Sequence, residues 1–147
     1  MTVVVCQMEF AASPHKVWET VMNPAMMEAW VTIHRGIEET SDAEPYEGMK
    51  MKQTLCLRGF SFKVKWELEE CRVDRHAKWV GRGPARSHAE TEYTLKRHGE
   101  GTLFEYRNEF RPPLGPLGAV ASRALVGGLP EREARASLQK LKQLVES

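Results

Sequence analysis

A chain of 147 residues, 41% hydrophobic and 28% charged, has the size and makeup of one domain (residues 1–147) that can bury a core and a cavity inside it. Its net charge of +1 shows no basic excess of the kind nucleic-acid-binding modules carry, so no nucleic-acid partner is expected, and no apolar run reaches bilayer length, so no stable membrane insertion is expected either. Cys6, Cys56 and Cys71 are odd in number and form no CxxC pair, and MTVVVCQMEF lacks a basic leader and cleavage site, which together point to free thiols in the cytoplasm.

Thr2 to Phe10 is rich in β-branched residues and places Val4, Cys6, Met8 and Phe10 on one face, so it reads as a first strand. Ser13-Pro14 supplies a helix start, an N-cap hydroxyl followed by proline at the first helical position. Val17, Trp18 and Val21 follow at core spacing, and Asn23-Pro24 ends that helix. A second short helix is expected from Pro24 to about Trp30, a strand from Thr32 to Glu38, and an acidic loop from Ser41 to Gly48.

From there the pattern is strand after strand. Met49, Met51, Gln53, Leu55 and Leu57 share one parity; after a turn at Gly59, so do Phe60, Phe62, Val64, Trp66 and Leu68. Alternation this regular means a sheet wet on one face and covered on the other. Val73-Asp74-Arg75 turns the chain into a strand around Trp79, and Gly81 to Pro84 turns it again. Strands from Arg86 to Lys96 and from Thr102 to Arg111 then flank the His98-Gly99-Glu100-Gly101 hairpin.

Gly118 to Glu146 reads as a long amphipathic helix. Its apolar stripe runs through Leu117, Val120, Ala121, Ala124, Leu125, Ala134, Leu138, Leu141 and Val145. Gly127-Gly128-Leu129-Pro130 predicts a kink or break in it. Strand, two helices, six strands and a long helix make an α+β order. The expected architecture is a seven-stranded curved antiparallel sheet wrapped around the C-terminal helix, with room for a pocket where sheet and helix part.

Ser13-Pro14-His15-Lys16-Val17-Trp18, followed by Asn23-Pro24 and Trp30, resembles the opening pattern of the START-like or Bet v 1-like (SRPBCC) superfamily of helix-grip proteins, in its bacterial polyketide cyclase/dehydrase and lipid-transport branch. Tyr106 to Phe110, Gly115 to Gly118, Leu129 to Glu133 and Ser137 to Lys142 are similar to its closing pattern. The resemblance covers nearly the whole chain. It implies the helix-grip fold and an internal, largely apolar cavity for a lipid, sterol, polyketide or other hydrophobic small molecule. It implies no shared catalytic set.

The residues themselves offer little chemistry. His15, His34, His76, His88 and His98 are scattered without metal-ligand spacing, and no nucleotide or nucleophile-elbow motif is present, so neither metal nor cofactor is expected. Cys6 reads as core. Arg72, Arg75, Lys78, Arg82 and Arg86 around Trp79 read as a solvated outer face rather than a nucleic-acid stripe.

More telling are polar residues at inward positions: Gln53, Asn108, Ser87 and Thr91. In a solid core each is satisfied by protein; in a pocket its partner is a ligand or water. The expected ligand-binding set is Met51, Gln53, Leu55, Trp66, Trp79, Thr91, Tyr93, Tyr106, Asn108, Ala121 and Leu125. A register slip of one residue would turn Trp66 or Trp79 outward. The pocket mouth is expected where the Leu57–Ser61 and Gly81–Arg86 turns meet the helix start near Leu117.

Three functions fit. The first is binding or carriage of a hydrophobic small molecule. The second is a cyclase, aromatase or dehydratase acting on a polyketide-like chain in the same cavity, with Tyr93, Tyr106 or a pocket-facing arginine as proton-transfer groups; no inward carboxylate or histidine emerges from the pattern, and no catalytic residue is assigned. The third is an apolar groove for another protein. The sequence leaves the oligomeric state open, a dimer included.

Overall fold

The computed structural model describes residues 2–40 and 44–147; Ser41 to Ala43, at the start of the expected acidic loop, lie outside the described residues. The described elements run β1 (Thr2–Phe10), α1 (Pro14–Val21), a 3-10 turn (Pro24–Met26), α2 (Met27–Trp30), β2 (His34–Glu38), β3 (Lys50–Leu57), β4 (Phe60–Arg72) and β5 (His76–Arg82). After a second 3-10 turn (Pro84–Arg86) come β6 (His88–His98), β7 (Gly101–Arg111), α3 (Pro116–Ala124), a third 3-10 turn (Val126–Gly128) and α4 (Leu129–Glu146).

Alternation builds the sheet as the sequence predicts. In β4, Val64, Trp66 and Leu68 are buried while Lys63, Lys65 and Glu67 are exposed. The seven strands form one antiparallel sheet in the order β1-β7-β6-β5-β4-β3-β2. β2 to β7 is a meander, and β1 returns to pair with β7 from Thr2↔Phe110 to Phe10↔Thr102. Register shifts in β4 between Leu68 and Glu70 and in β2 between His34 and Gly36 add local bend. This is the helix-grip fold.

Helix starts follow their caps. Lys16 N donates to Ser13 Oγ (3.2 Å), and Ala25 N donates to Asn23 Oδ1 (3.0 Å). The solid part of the core lies where α1 and α4 meet β1, β6 and β7. There Phe104 is fully buried, its ring 5.6 Å from Phe10 and 5.7 Å from Tyr93, and Val17, Leu138, Leu141 and Val145 are buried too. The end of α4 is pinned: Lys142 Nζ donates to Glu9 O (3.0 Å), and Ala11 N donates to the Glu146 carboxylate (2.7 Å).

The long helix is broken where the glycines fall. Gly127 and Gly128 both adopt left-handed backbone (φ 73° and 70°), a region glycine enters without steric penalty, and Pro130 sits in the first turn of α4. α4 packs against β1, α1 and α2, whereas α3 turns to β4. The stripe holds on both sides of the break with one exception. Ala121, Ala124, Ala134, Leu138, Leu141 and Val145 are buried and Leu117 and Leu125 half-buried, but Val120, expected on the stripe, is 42% exposed.

Two turn expectations are corrected as well. Gly81 lies inside β5, not in the turn, and Arg86 belongs to the 3-10 turn, with β6 starting at His88. A Cβ at Gly81 would sit 2.6 Å from Val64 Cγ1 and 2.7 Å from the Trp66 ring, so glycine here lets that indole approach the β5 backbone. In the β5–β6 turn, Ala85 and Arg86 both hold positive φ (50° and 62°), which crowds an L-residue's Cβ. Ala85→Gly is expected to raise stability by about 0.5–1 kcal/mol in denaturant unfolding, as strain is removed in excess of the entropy glycine adds to the unfolded chain.

Candidate functional site

Where α3 turns away from the α4 axis, sheet and helices enclose a cavity of about 160 Å³ open to the centres of water molecules. By that measure one water needs about 10–15 Å³, so the space suits a small organic molecule. Cross-strand register builds the floor. Met51, Trp66 and Ala89 come from one cross-strand row, Trp79, Thr91 and Asn108 from the next, and Tyr93 and Tyr106 from a third. Ala121, Ala124 and Ala134 line the helix side with small side chains.

All eleven residues expected at the site, Met51, Gln53, Leu55, Trp66, Trp79, Thr91, Tyr93, Tyr106, Asn108, Ala121 and Leu125, line this cavity. Trp66 and Trp79 both face inward, at 7% and 2% exposure. Trp79 is therefore apart from Arg72, Arg75, Arg82 and Arg86, which are exposed at the surface. Cys6 is buried in the core, and burial pushes its thiol pKa up.

The inward polar residues divide into two kinds. Gln53 is satisfied by protein at both ends of its amide. Trp66 Nε1 donates to its oxygen (2.9 Å), while its nitrogen donates to His34 Nδ1 (2.8 Å) and lies 3.5 Å from the Met27 sulfur. Asn108 is only half satisfied. Its nitrogen donates to the Tyr106 hydroxyl (3.0 Å), but its buried Oδ1 has no partner. Burial raises the pKa of Tyr106 to about 12 and that of Tyr93 further, so both phenols are neutral across the physiological range.

His34 belongs to the Gln53 network, and burial lowers its pKa below the ordinary imidazole value. Its folded pKa lies below its unfolded one, so its contribution to stability is present above the unfolded value and is lost as pH falls through the folded one. An NMR titration is expected to find His34 titrating below about 6.5, the reference imidazole value. A value at or above that reference would contradict the half-buried, neutral ring.

One functional group escapes the sequence pattern. Glu133 lines the cavity, contrary to the expectation of no inward carboxylate, and accepts a hydrogen bond from Thr32 Oγ1. Thr32 N donates to Ser137 Oγ (3.1 Å), so the segment after α2 is tied to α4 at the cavity edge. The available signal is helical spacing: Pro130, Glu133 and Ser137 fall at i, i+3 and i+7, on the flank of the apolar stripe. Met27, Trp30, Val31 and Ile33 also line the cavity, carried by α2 and the segment after it; the strand expected from Thr32 starts only at His34, so Thr32 and Ile33 belong to that segment.

Leu57, Phe60, Pro84, Pro113 and Leu125 line the cavity at the end where the β3–β4 and β5–β6 turns meet the approach to α3. Leu114 N donates to Ala85 O (2.9 Å), so that approach is tied to the β5–β6 turn, as the expected placement of the turns requires. Among the described residues no three His, Cys, Asp or Glu side chains gather as a metal-binding group, and no helix is long and apolar enough to cross a membrane.

The family model for polyketide cyclase/dehydrase and lipid transport matches residues 1–146. The chain belongs to that family. Solved structures similar to this member include a protein from Thermus thermophilus (TM-score 0.79, 16% identity, covering 98% of this chain and 97% of that one). The Zhui aromatase/cyclase from Streptomyces sp. R1128 is similar as well (TM-score 0.79, 15% identity, 99% and 93% covered). A conserved protein from Geobacillus kaustophilus matches at TM-score 0.75 and 18% identity, with 98% and 95% covered. At these identities the likeness concerns the fold. No curated protein sequence matches the chain.

Proposed function

We propose that the cavity binds a hydrophobic small molecule of the lipid, sterol or polyketide kind, with the eleven residues named above as its contacts. The observation that carries this reading is a cavity of about 160 Å³ walled mostly by apolar side chains in a member of a family described by lipid transport. Aromatic and methionine side chains supply an adaptable wall, and a few placed polar groups supply orientation. The β3–β4 and β5–β6 turns are the proposed gate. Native mass spectrometry of protein purified without denaturation is expected to show a co-purified small molecule released on mild activation. Apo protein that stays apo when mixed with lipid extract would contradict the reading.

A second reading is favoured by one observation, the carboxylate of Glu133 in the cavity wall. In a cyclase, aromatase or dehydratase acting on a polyketide-like chain, Glu133 would serve as the proton acceptor, with Thr32 fixing its orientation. Turnover of a poly-β-ketone mimic that vanishes in Glu133→Gln, with mimic binding retained, would establish it. Binding without turnover in the unaltered protein would leave the carrier.

A further inference from the structure

The unpaired polar atoms of the interior belong to the cavity wall. Among the described residues, three buried side-chain atoms have no hydrogen-bond partner: Trp30 Nε1, Trp79 Nε1 and Asn108 Oδ1. All three residues line the cavity. Buried donors and acceptors are nearly always paired, because leaving one unpaired forfeits its hydration without return. The register sets two of the three in one line. Trp79 stands opposite Thr91, and Thr91 opposite Asn108, so an indole N–H, a hydroxyl and an amide make a polar row across β5, β6 and β7. Leu68 on β4 and Val4 on β1 close the row with apolar side chains. The third, Trp30, comes from α2 and lies edge-on to Tyr93, with ring centres 6.1 Å apart.

Charge gives the second observation. Among the described residues that line the cavity there is no Lys, Arg or His, and the one charged side chain is the acidic Glu133. A carboxylate or phosphate drawn into this space would lose its hydration and meet no counter-ion.

We infer that the occupant is an uncharged molecule whose buried end carries a hydroxyl, an alcohol-, phenol- or sterol-like ligand rather than a fatty acid or a phosphate. This inference rests on the ligand-binding reading above and adds the chemistry of the buried end. A hydroxyl accepts from the Trp79 N–H and donates to the Asn108 oxygen, and because it does both it also serves the amide in its flipped orientation. A carboxylate only accepts, so with the amide as placed it would leave the Asn108 oxygen unpaired, and in either orientation of the amide it would bring in an uncompensated charge.

The test is a calorimetric titration at pH 7.5 of one aromatic frame with different ends: 2-naphthol, 2-naphthoate, 2-naphthylmethylammonium and naphthalene. 2-Naphthol is expected to bind at least about ten-fold more tightly than either charged compound. Any apolar pocket would disfavour ions, so Trp79→Phe supplies the specific arm. It is expected to weaken 2-naphthol by about three- to ten-fold, to leave naphthalene within about two-fold, and to keep cooperative unfolding, since the deleted N–H has no partner in the protein. If the naphthoate or the ammonium matches or exceeds 2-naphthol, or if Trp79→Phe weakens 2-naphthol and naphthalene alike, the hydroxyl inference is overturned and the apolar cavity stands. If none of the four binds saturably, the ligand-binding reading falls and this inference with it.

Discussion

Replacing Asn108 by Leu is expected to weaken binding of 2-naphthol by about 1–3 kcal/mol, roughly 5- to 150-fold, while stability stays within about 1 kcal/mol of the parent protein. The asymmetry comes from what the amide does in the fold. Its Oδ1 is buried without a partner, so deleting it removes a desolvated acceptor that contributes nothing to folding. Its Nδ2 donates to the Tyr106 hydroxyl at 3.0 Å, so the variant also loses one neutral hydrogen bond, and the two effects offset. Leucine keeps the branched heavy-atom skeleton of asparagine, and its bulkier methyl groups can extend into the cavity and add to an already apolar wall. Paired measurements of naphthol affinity and denaturant unfolding check both halves. Unchanged affinity, or a stability loss of several kcal/mol, would make Asn108 a packing residue instead of an anchor.

Gln53→Leu is expected to do the opposite. Gln53 shares the inward face with Asn108-type positions in the sequence pattern, but its amide joins β3 to β4 through Trp66 Nε1 and to the β2 edge through His34 Nδ1. Truncating that hub leaves a buried indole N–H and a half-buried imidazole nitrogen unpaired, each worth about 1–3 kcal/mol, so unfolding free energy should fall by about 2–4 kcal/mol. For a chain of this size that is a melting temperature lower by roughly 5–15 °C. The effect on naphthol affinity should be small by comparison, since no polar atom of Gln53 is left over for a ligand. A variant as stable as the parent would show that the network is not holding the β2–β3–β4 corner.

That contrast marks how far the sequence is legible. Strand parity in Met51–Gln53–Leu55 and Val64–Trp66–Leu68 places inward residues correctly, because with period two every side chain's face follows from one correct register. Gly127, Gly128 and Pro130 announce the helix break by their own backbone chemistry. Three further features need three-dimensional information. Parity assigns Gln53 and Asn108 the same face; only the neighbours of each amide separate a structural hub from a free acceptor. Val120 shares α3 with the buried Ala121 and Ala124, and helical spacing puts it on the same stripe, but which flank of that stripe meets the sheet depends on how α3 packs, and Val120 faces solvent. Glu133 and Thr32 meet through an aperiodic segment and a helix flank, and no single-sequence pattern links residues across that separation.

The space between the sheet and the broken helix is, on this account, a ligand site. Ala121 is buried and lines that space from α3, so Ala121→Leu adds apolar volume directly into it. The most direct measurement is a titration of the parent protein and of Ala121→Leu with N-phenyl-1-naphthylamine, with cooperative unfolding verified for both. The account predicts saturable fluorescence enhancement at one probe per chain in the parent, and affinity reduced at least about ten-fold in the filled variant. Saturation absent from the parent, or equal affinity in both proteins, would contradict it.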